Sequence, residues 1–527
     1  MIPRTYPSTF APNNQAQMVI YVLPSVVGMT QWVDYIPVKW NSSSLGLENS
    51  YNNEGFVNVD QLSSVVSSQA FVNYIPVFVD ATATKPWSTD IGGYIPIGVS
   101  ISYPLSLFSA GEQGAWYDPS DMSTMFQDSA GTTPVTAVEQ PVGLIYDKSP
   151  RGNDAFQTTA TKRPILSARV NLLTKTEDFS GWDLSDATVS SNVTTSPNGT
   201  MTGDKLVDTV AESTLPTANM AVAITAQPYT LTVYAKAAEY GYLVVRVDAL
   251  NYNRYVTFNL LTGAAEVGLG LATTADAIGD GWYRCSVTYT STISGVATYF
   301  FSSSIIGNQN PHTGDGTSGI YLWGASLVPA DQASLPYQRV NTATDYDSVG
   351  FNKYLAFDGV DDALVTNSID FTATDKMTVW AGVRKLSDAD VGILVELSSN
   401  AVSNAFLIAA PRTSNSADFG NRSAGTIYTD ATTNLVYPNN ISYVTTSVMG
   451  ISTQTNIVQV NSIQAASNTA SQGAGNYGNY PLFIGQRNQA ALPFNGNIHS
   501  LIVRGAQSSD AQIASTEQYV NGKTGAF

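Results

Sequence analysis

Hydrophobic and polar residues alternate with period two along much of this chain. Tyr229, Leu231, Val233 and Ala235 interleave with Thr230, Thr232, Tyr234 and Lys236. Successive side chains of a strand point to opposite faces, so this stretch predicts a half-buried strand. The same texture runs through 243–247, 255–259, 282–289 and 320–327, with Gly and Asn/Asp turns between. A further block repeats it at 354–357, 363–366, 377–384, 393–397, 457–460, 482–484 and 498–503. Many short strands with regular turn signals and no helix between them predict an all-β, multidomain chain of antiparallel β-sandwiches, or jelly rolls. One short helix closes the chain: Ser509 is the N-cap, Asp510 suits the positive helix end, Ile513, Glu517 and Val520 lie on neighbouring turns, and Gly522 is the stop. There is no heptad run or collagen-like repeat, hence no coiled shaft.

Residues 1–108 carry an internal echo. Trp32-Val33-Asp34-Tyr35-Ile36-Pro37-Val38 recurs as Phe71-Val72-Asn73-Tyr74-Ile75-Pro76-Val77, and a shorter form appears at Tyr94-Ile95-Pro96-Ile97. A proline cannot donate to a sheet ladder, so these read as edge strands. Open edges pair with neighbours, which predicts a β-rich docking domain over 1–108. Residues 109–169 are short extended pieces joined by Asp, Pro, Gly and Asn turns.

Composition narrows the function. The chain has 527 residues, too many for one core, of which 43% are hydrophobic and only 12% charged, with a net charge of −17. That surface repels phosphate, and no basic run offsets it, so nucleic acid is excluded as a partner. The early apolar stretch 18–29 is broken by Pro24 and is too short to span a bilayer. Met1-Ile2-Pro3-Arg4 opens no signal peptide, which places folding in a cytoplasm. The single Cys285 excludes a disulfide framework and reads as a buried strand thiol.

Three segments resemble known families. Phe357-Asp358-Gly359-Val360-Asp361-Asp362-Ala363-Leu364, with Leu501-Ile502-Val503-Arg504 before Ala511-Gln512-Ile513-Ala514, resembles bacterial and phage laminin-G-like, concanavalin-type jelly rolls. Trp116-Tyr117-Asp118-Pro119-Ser120-Asp121, through Asp147-Lys148-Ser149 to Arg163-Pro164-Ile165-Leu166, is similar to the opening of that domain in phage proteins. Between them, Asn171-Leu172-Leu173, Glu177-Asp178-Phe179, Gly281-Trp282-Tyr283-Arg284 and Gly319-Ile320-Tyr321-Leu322-Trp323-Gly324-Ala325 resemble carbohydrate-binding-module-like jelly rolls. The resemblance implies a discontinuous domain. Residues 109–169 would open a laminin-G-like sandwich completed by 343–527, with a carbohydrate-binding-module-like sandwich, 170–342, inserted as guest.

The chemistry of an enzyme is missing from the sequence. His312 and His499 have no carboxylate or cysteine at metal or triad spacing. Gly314-Asp315-Gly316-Thr317-Ser318-Gly319 fits a dinucleotide fingerprint only in spelling, since a strand pattern follows it. Glu396 is a lone strand carboxylate, where a glycosidase needs two facing ones. Asp361 and Asp362 shape a turn, and hard carboxylate oxygens there also suit calcium, the one cofactor candidate. Sandwiches recognise sugars with exposed loop aromatics. Tyr240, Tyr242, Tyr252, Tyr437, Tyr477 and Tyr480 are the candidates, led by Asn476, Tyr477, Asn479 and Tyr480 in one polar loop, with loop packing as the alternative reading.

These readings converge on a non-enzymatic phage particle protein. The expected subunit is a tail or head fibre, homotrimeric, docked to portal, tail or capsid proteins through 1–108. It would present lectin-like domains to host-surface glycans, without membrane insertion. A glycan depolymerase and a capsid decoration protein are the alternatives.

Overall fold

The computed structural model describes residues 104–210, 215–249, 252–267, 271–307, 312–398 and 400–527, with the strands Lys39–Asn41, Gly46–Glu48, Tyr74–Phe78 and Ile91–Pro96. The chain divides into two compact units, Met1–Ser106 and Leu107–Phe527. In the first, Tyr74–Phe78 pairs antiparallel with Ile91–Pro96, which sets Pro76 opposite Tyr94. Two echo segments are thus partners in one hairpin. The echo at 32–38 and the docking surface expected of 1–108 lie outside the described residues.

The second unit is built of antiparallel β-sandwiches. Within 170–342, one six-stranded sheet runs Asp183–Ser185, Thr217–Ile224, Gly295–Ser304, Tyr242–Ala249, Tyr252–Asn259, Ala265–Val267. The facing six-stranded sheet runs Ala187–Thr194, Gly203–Asp208, Gly319–Pro329, Pro228–Ala237, Trp282–Thr290, Ala272–Gly279. Tyr229, Leu231, Val233 and Ala235 all enter the core between them. On the other face, Thr230 and Thr232 share hydroxyl hydrogen bonds with Thr288 and Ser286, each 2.9 Å. The period-two pattern is therefore an inside–outside pattern, and each fully buried Leu or Val contributes about 1.5–3 kcal/mol.

The other sandwich joins residues from both sides of that lobe. In its eight-stranded sheet, Asn495–Arg504 has Lys376–Lys385 on one side. Its other side is shared by Tyr354–Asp358 and by Gly114–Tyr117, which sets Trp116 opposite Ile502. Ile165–Ser167 extends the sheet, with Ser167 opposite Tyr354. In the nine-stranded sheet, Ala155–Phe156 pairs with Leu364–Asp370. Ala115, Tyr117, Met125, Ile145 and Leu166 lie in one core with Leu355, Phe357, Val379 and Leu501.

The closing helix is Asp510–Thr524, opened by a reciprocal cap between Ser509 and Gln512. It runs past Gly522, which corrects the expected stop. Val520 is fully buried, and the Val520 and Thr524 side chains lie against Gly382. That packing outweighs the ~1 kcal/mol cost of a helical glycine. Gly525, at φ 67°, ends the helix instead.

Candidate functional site

The loop singled out as a sugar platform is mostly an anchor. Tyr477 is 1% exposed. Its hydroxyl shares a 2.7 Å hydrogen bond with Ser423, and its ring meets Phe406 edge-on at 6.0 Å. It is therefore a core residue, which corrects the reading of an exposed stacking face. Asn476 is exposed, but its amide donates to the Thr372 carbonyl at 2.7 Å. Asn479 is exposed and Tyr480 half-buried at the start of the strand Asn479–Ile484. Tyr240 is also buried, its hydroxyl donating to Asp208 at 3.3 Å. Tyr242 and Tyr252 open strands instead of lying in loops. Tyr437 packs edge-on to Phe419 and Tyr443 at 5.7 and 5.6 Å.

The acidic turn gains a member. Asp358, Asp361 and Asp362 each bring one carboxylate oxygen within 4.8 Å of the others. Asp358 accepts from the backbone N–H of Val360 and Asp361 at 2.8 and 3.2 Å, and Asp362 accepts from Asp358 N–H at 3.0 Å. These bonds build the turn. Burial, then the charges of Asp358 and Asp361, push the Asp362 carboxyl up to about 7.

The histidines divide. His312 does have a carboxylate partner: its Nε2 lies 2.6 Å from Asp208, at the end of the strand Gly203–Asp208. This corrects the expectation of a plain loop residue, and nothing in the local sequence signals it. His499 is buried beside Tyr354, ring centroids 5.2 Å apart, and burial and then Arg384 push it down to about 3. Cys285 is 1% exposed, and burial raises its thiol, so it is inert.

Glu396 is fully buried and held by Arg487 through contacts of 2.9–3.2 Å. The register runs Glu396–Leu407–Arg422–Asp430 across four strands. At about 4.8 Å per strand the backbones of Glu396 and Asp430 stand roughly 14 Å apart. Each is also occupied by its own arginine, Asp430 by Arg422 at 2.7 Å.

Side chains converge on the outer face of the second sheet within 170–342. Gly324, at φ 65°, sits where a Cβ would come within 2.8 Å of the Tyr234 ring, and the ladder shifts register there. That close approach gathers Tyr234, Trp323 and Tyr337 in edge-on and tilted contacts, with centroids 5.2, 4.9 and 6.1 Å apart pairwise. Between Tyr234 and the returning segment 332–338, which carries Tyr337, lies a cleft of about 200 Å³, lined also by Thr232, Arg284 and Ser326. Arg284 donates to the Ala333 carbonyl at 3.4 Å, and Gln338 accepts from Val170 and Asn171 N–H at 2.8 and 3.0 Å, so the walls are tied in place. A second cleft of about 190 Å³ is lined by Thr176, Glu177, Asp178, Asn192, Asp204 and Arg339. The 2.7 Å bond between the Tyr337 and Thr176 hydroxyls lies between the two. Trp323 and Glu177 stand in segments that carry the carbohydrate-binding-module resemblance, yet sequence alone does not bring them to one place.

No described protein family and no curated protein matches this chain. Solved structures similar to parts of it include carbohydrate-binding domains. One is a Ruminococcus gnavus IT-sialidase CBM40 bound to α2,3-sialyllactose, 14% identical over 27% of this chain and 83% of that one, TM-score 0.23. Another is domain 4 of a GH43 extracellular arabinanase from Geobacillus stearothermophilus in complex with arabinotriose, 14% identical over 33% and 79%, TM-score 0.27. A third is a heptameric SAP-like pentraxin from Limulus polyphemus, 12% identical over 32% and 80%, TM-score 0.25. Likenesses of this size identify no ligand.

Proposed function

We propose that this chain is a non-catalytic structural subunit of a bacteriophage particle, a fibre or appendage that presents its sandwiches to glycans on the host surface. The observation that carries the glycan reading is the cleft bounded by Tyr234 and Tyr337. Aromatic walls stack on the C–H faces of a pyranose, and Thr232, Arg284, Ser326 and Gln332 offer polar groups around it. The phage reading is supported by the sequence resemblance over 109–527, and docking through 1–108 as a homotrimer belongs to the same proposal. Ser334 is exposed at the mouth of the cleft. Ser334→Trp is expected to abolish glycan binding and host adsorption while the melting temperature stays unchanged. Unaltered binding in that variant refutes the cleft. Mass spectrometry of purified particles tests the virion role, and absence of the chain from particles refutes it.

A further inference from the structure

The second cleft differs in chemistry from the first. Glu177, Asp178 and Asp204 line it against Lys175 and Arg339. Both cations are engaged elsewhere: Lys175 donates to the Gly181 carbonyl at 3.2 Å, and Arg339 spans Asp345 and Asp347 at 3.1 and 3.2 Å. Asp204 is committed to the backbone N–H groups of Phe179 and Asn192, each 2.9 Å away.

Glu177 stands apart. It is half-buried and lines the cleft beside Thr176 and Thr202, whose hydroxyls meet the Tyr337 hydroxyl and the Trp323 indole N–H at 2.7 and 3.0 Å. Burial holds its carboxyl above the usual range. A partly desolvated carboxylate that opens on a cavity gains most from a donor that is also a cation. The chain's net charge of −17 favours approach of such a ligand.

We infer that the second cleft binds a sugar ring bearing a free ammonium, an amino-sugar unit, with Glu177 pairing the ammonium. The inference rests on the reading of the chain as a glycan binder, and its selectivity belongs to Glu177 alone.

The test is calorimetric titration of the full chain, near neutral pH, with glucosamine oligosaccharides and their N-acetylated counterparts. The free-amine oligomers are expected to bind tighter on the order of tenfold, the size of one charge-assisted hydrogen bond. Glu177→Gln should erase that preference at an unchanged melting temperature. Asp178→Asn, on an exposed side chain that does not threaten folding, should lower the preference about twofold. Equal binding of both oligomers to the unaltered chain, or an unaltered preference in both variants, overturns the inference and leaves the first cleft's reading standing. If Ser334→Trp changes nothing while Glu177→Gln erases the preference, the first cleft's reading fails and this one stands. Binding of neither sugar overturns both.

Discussion

Ser167 and Tyr354 are cross-strand partners in an antiparallel pair, so their Cα atoms stand about 5 Å apart. The whole lobe 170–342 hangs from the loop of what is otherwise a hairpin. Excising 170–342 and joining 169 to 343 with a short turn should therefore leave the outer sandwich folded. The apolar loss falls on the small cluster of Ala168, Val340, Tyr346 and Phe351, from which Val340 and the adjoining Val170 disappear, about 2–4 kcal/mol; the polar losses are the Gln338 bonds to Ala168 and Asp347, the Arg339 pairs with Asp345 and Asp347, and the Asp331 partner of Arg384. Removing 109–169 instead strips Tyr117, Met125, Val135, Val142, Ile145 and Leu166 from the main core. At about 1.5–3 kcal/mol each this is roughly 9–18 kcal/mol, as much as the whole stability of a typical domain, about 5–15 kcal/mol. It also opens the ladder edge of 501–504, which invites aggregation. Denaturant unfolding followed by near-ultraviolet circular dichroism, with size-exclusion chromatography, compares 107–527, the excised chain and 343–527. A cooperative transition is expected for the first two only. A monomeric, cooperatively folded 343–527, or an excised chain with no transition, refutes the reasoning.

Tyr477→Ala should cost about 3–5 kcal/mol in chemical denaturation, because it empties a core site, and it also removes one hydrogen bond to the Ser423 hydroxyl. Tyr480→Ala, at a half-buried strand end, should cost no more than about 1–2 kcal/mol; equal losses would contradict the burial difference. His499 is pushed down to about 3, so the unfolded chain takes up the proton first. The stability it contributes is complete above about pH 6.5 and falls as pH drops toward the folded value, by up to a few kcal/mol. His499→Gln should flatten the acid limb of the stability–pH curve relative to the unaltered chain, and identical limbs would show that His499 does not titrate this way.

What the sequence by itself determined is local. The alternation at 229–236 specified strands and their inward faces, because a strand's side chains obey a period set by covalent geometry. Ser509 and Gln512 specified the helix start, because a cap is satisfied within one turn. The tertiary structure decided everything that depends on a distant partner. Asn476-Tyr477-Gly478-Asn479-Tyr480 reads as an exposed polar loop by any local rule, and only the cavity between Phe406 and Ser423 takes Tyr477 inside. His312 meets Asp208 across the fold. The helix outlasts Gly522 because Gly382, on another strand, leaves room for Val520 and Thr524. Tyr234 and Tyr337 bound one cleft, and Glu177 lines another, only after strands far apart in the chain are registered side by side. Those arrangements come from side-chain packing between sheets, whose energy depends on shape and complement at long sequence separation and leaves no periodic trace in the chain.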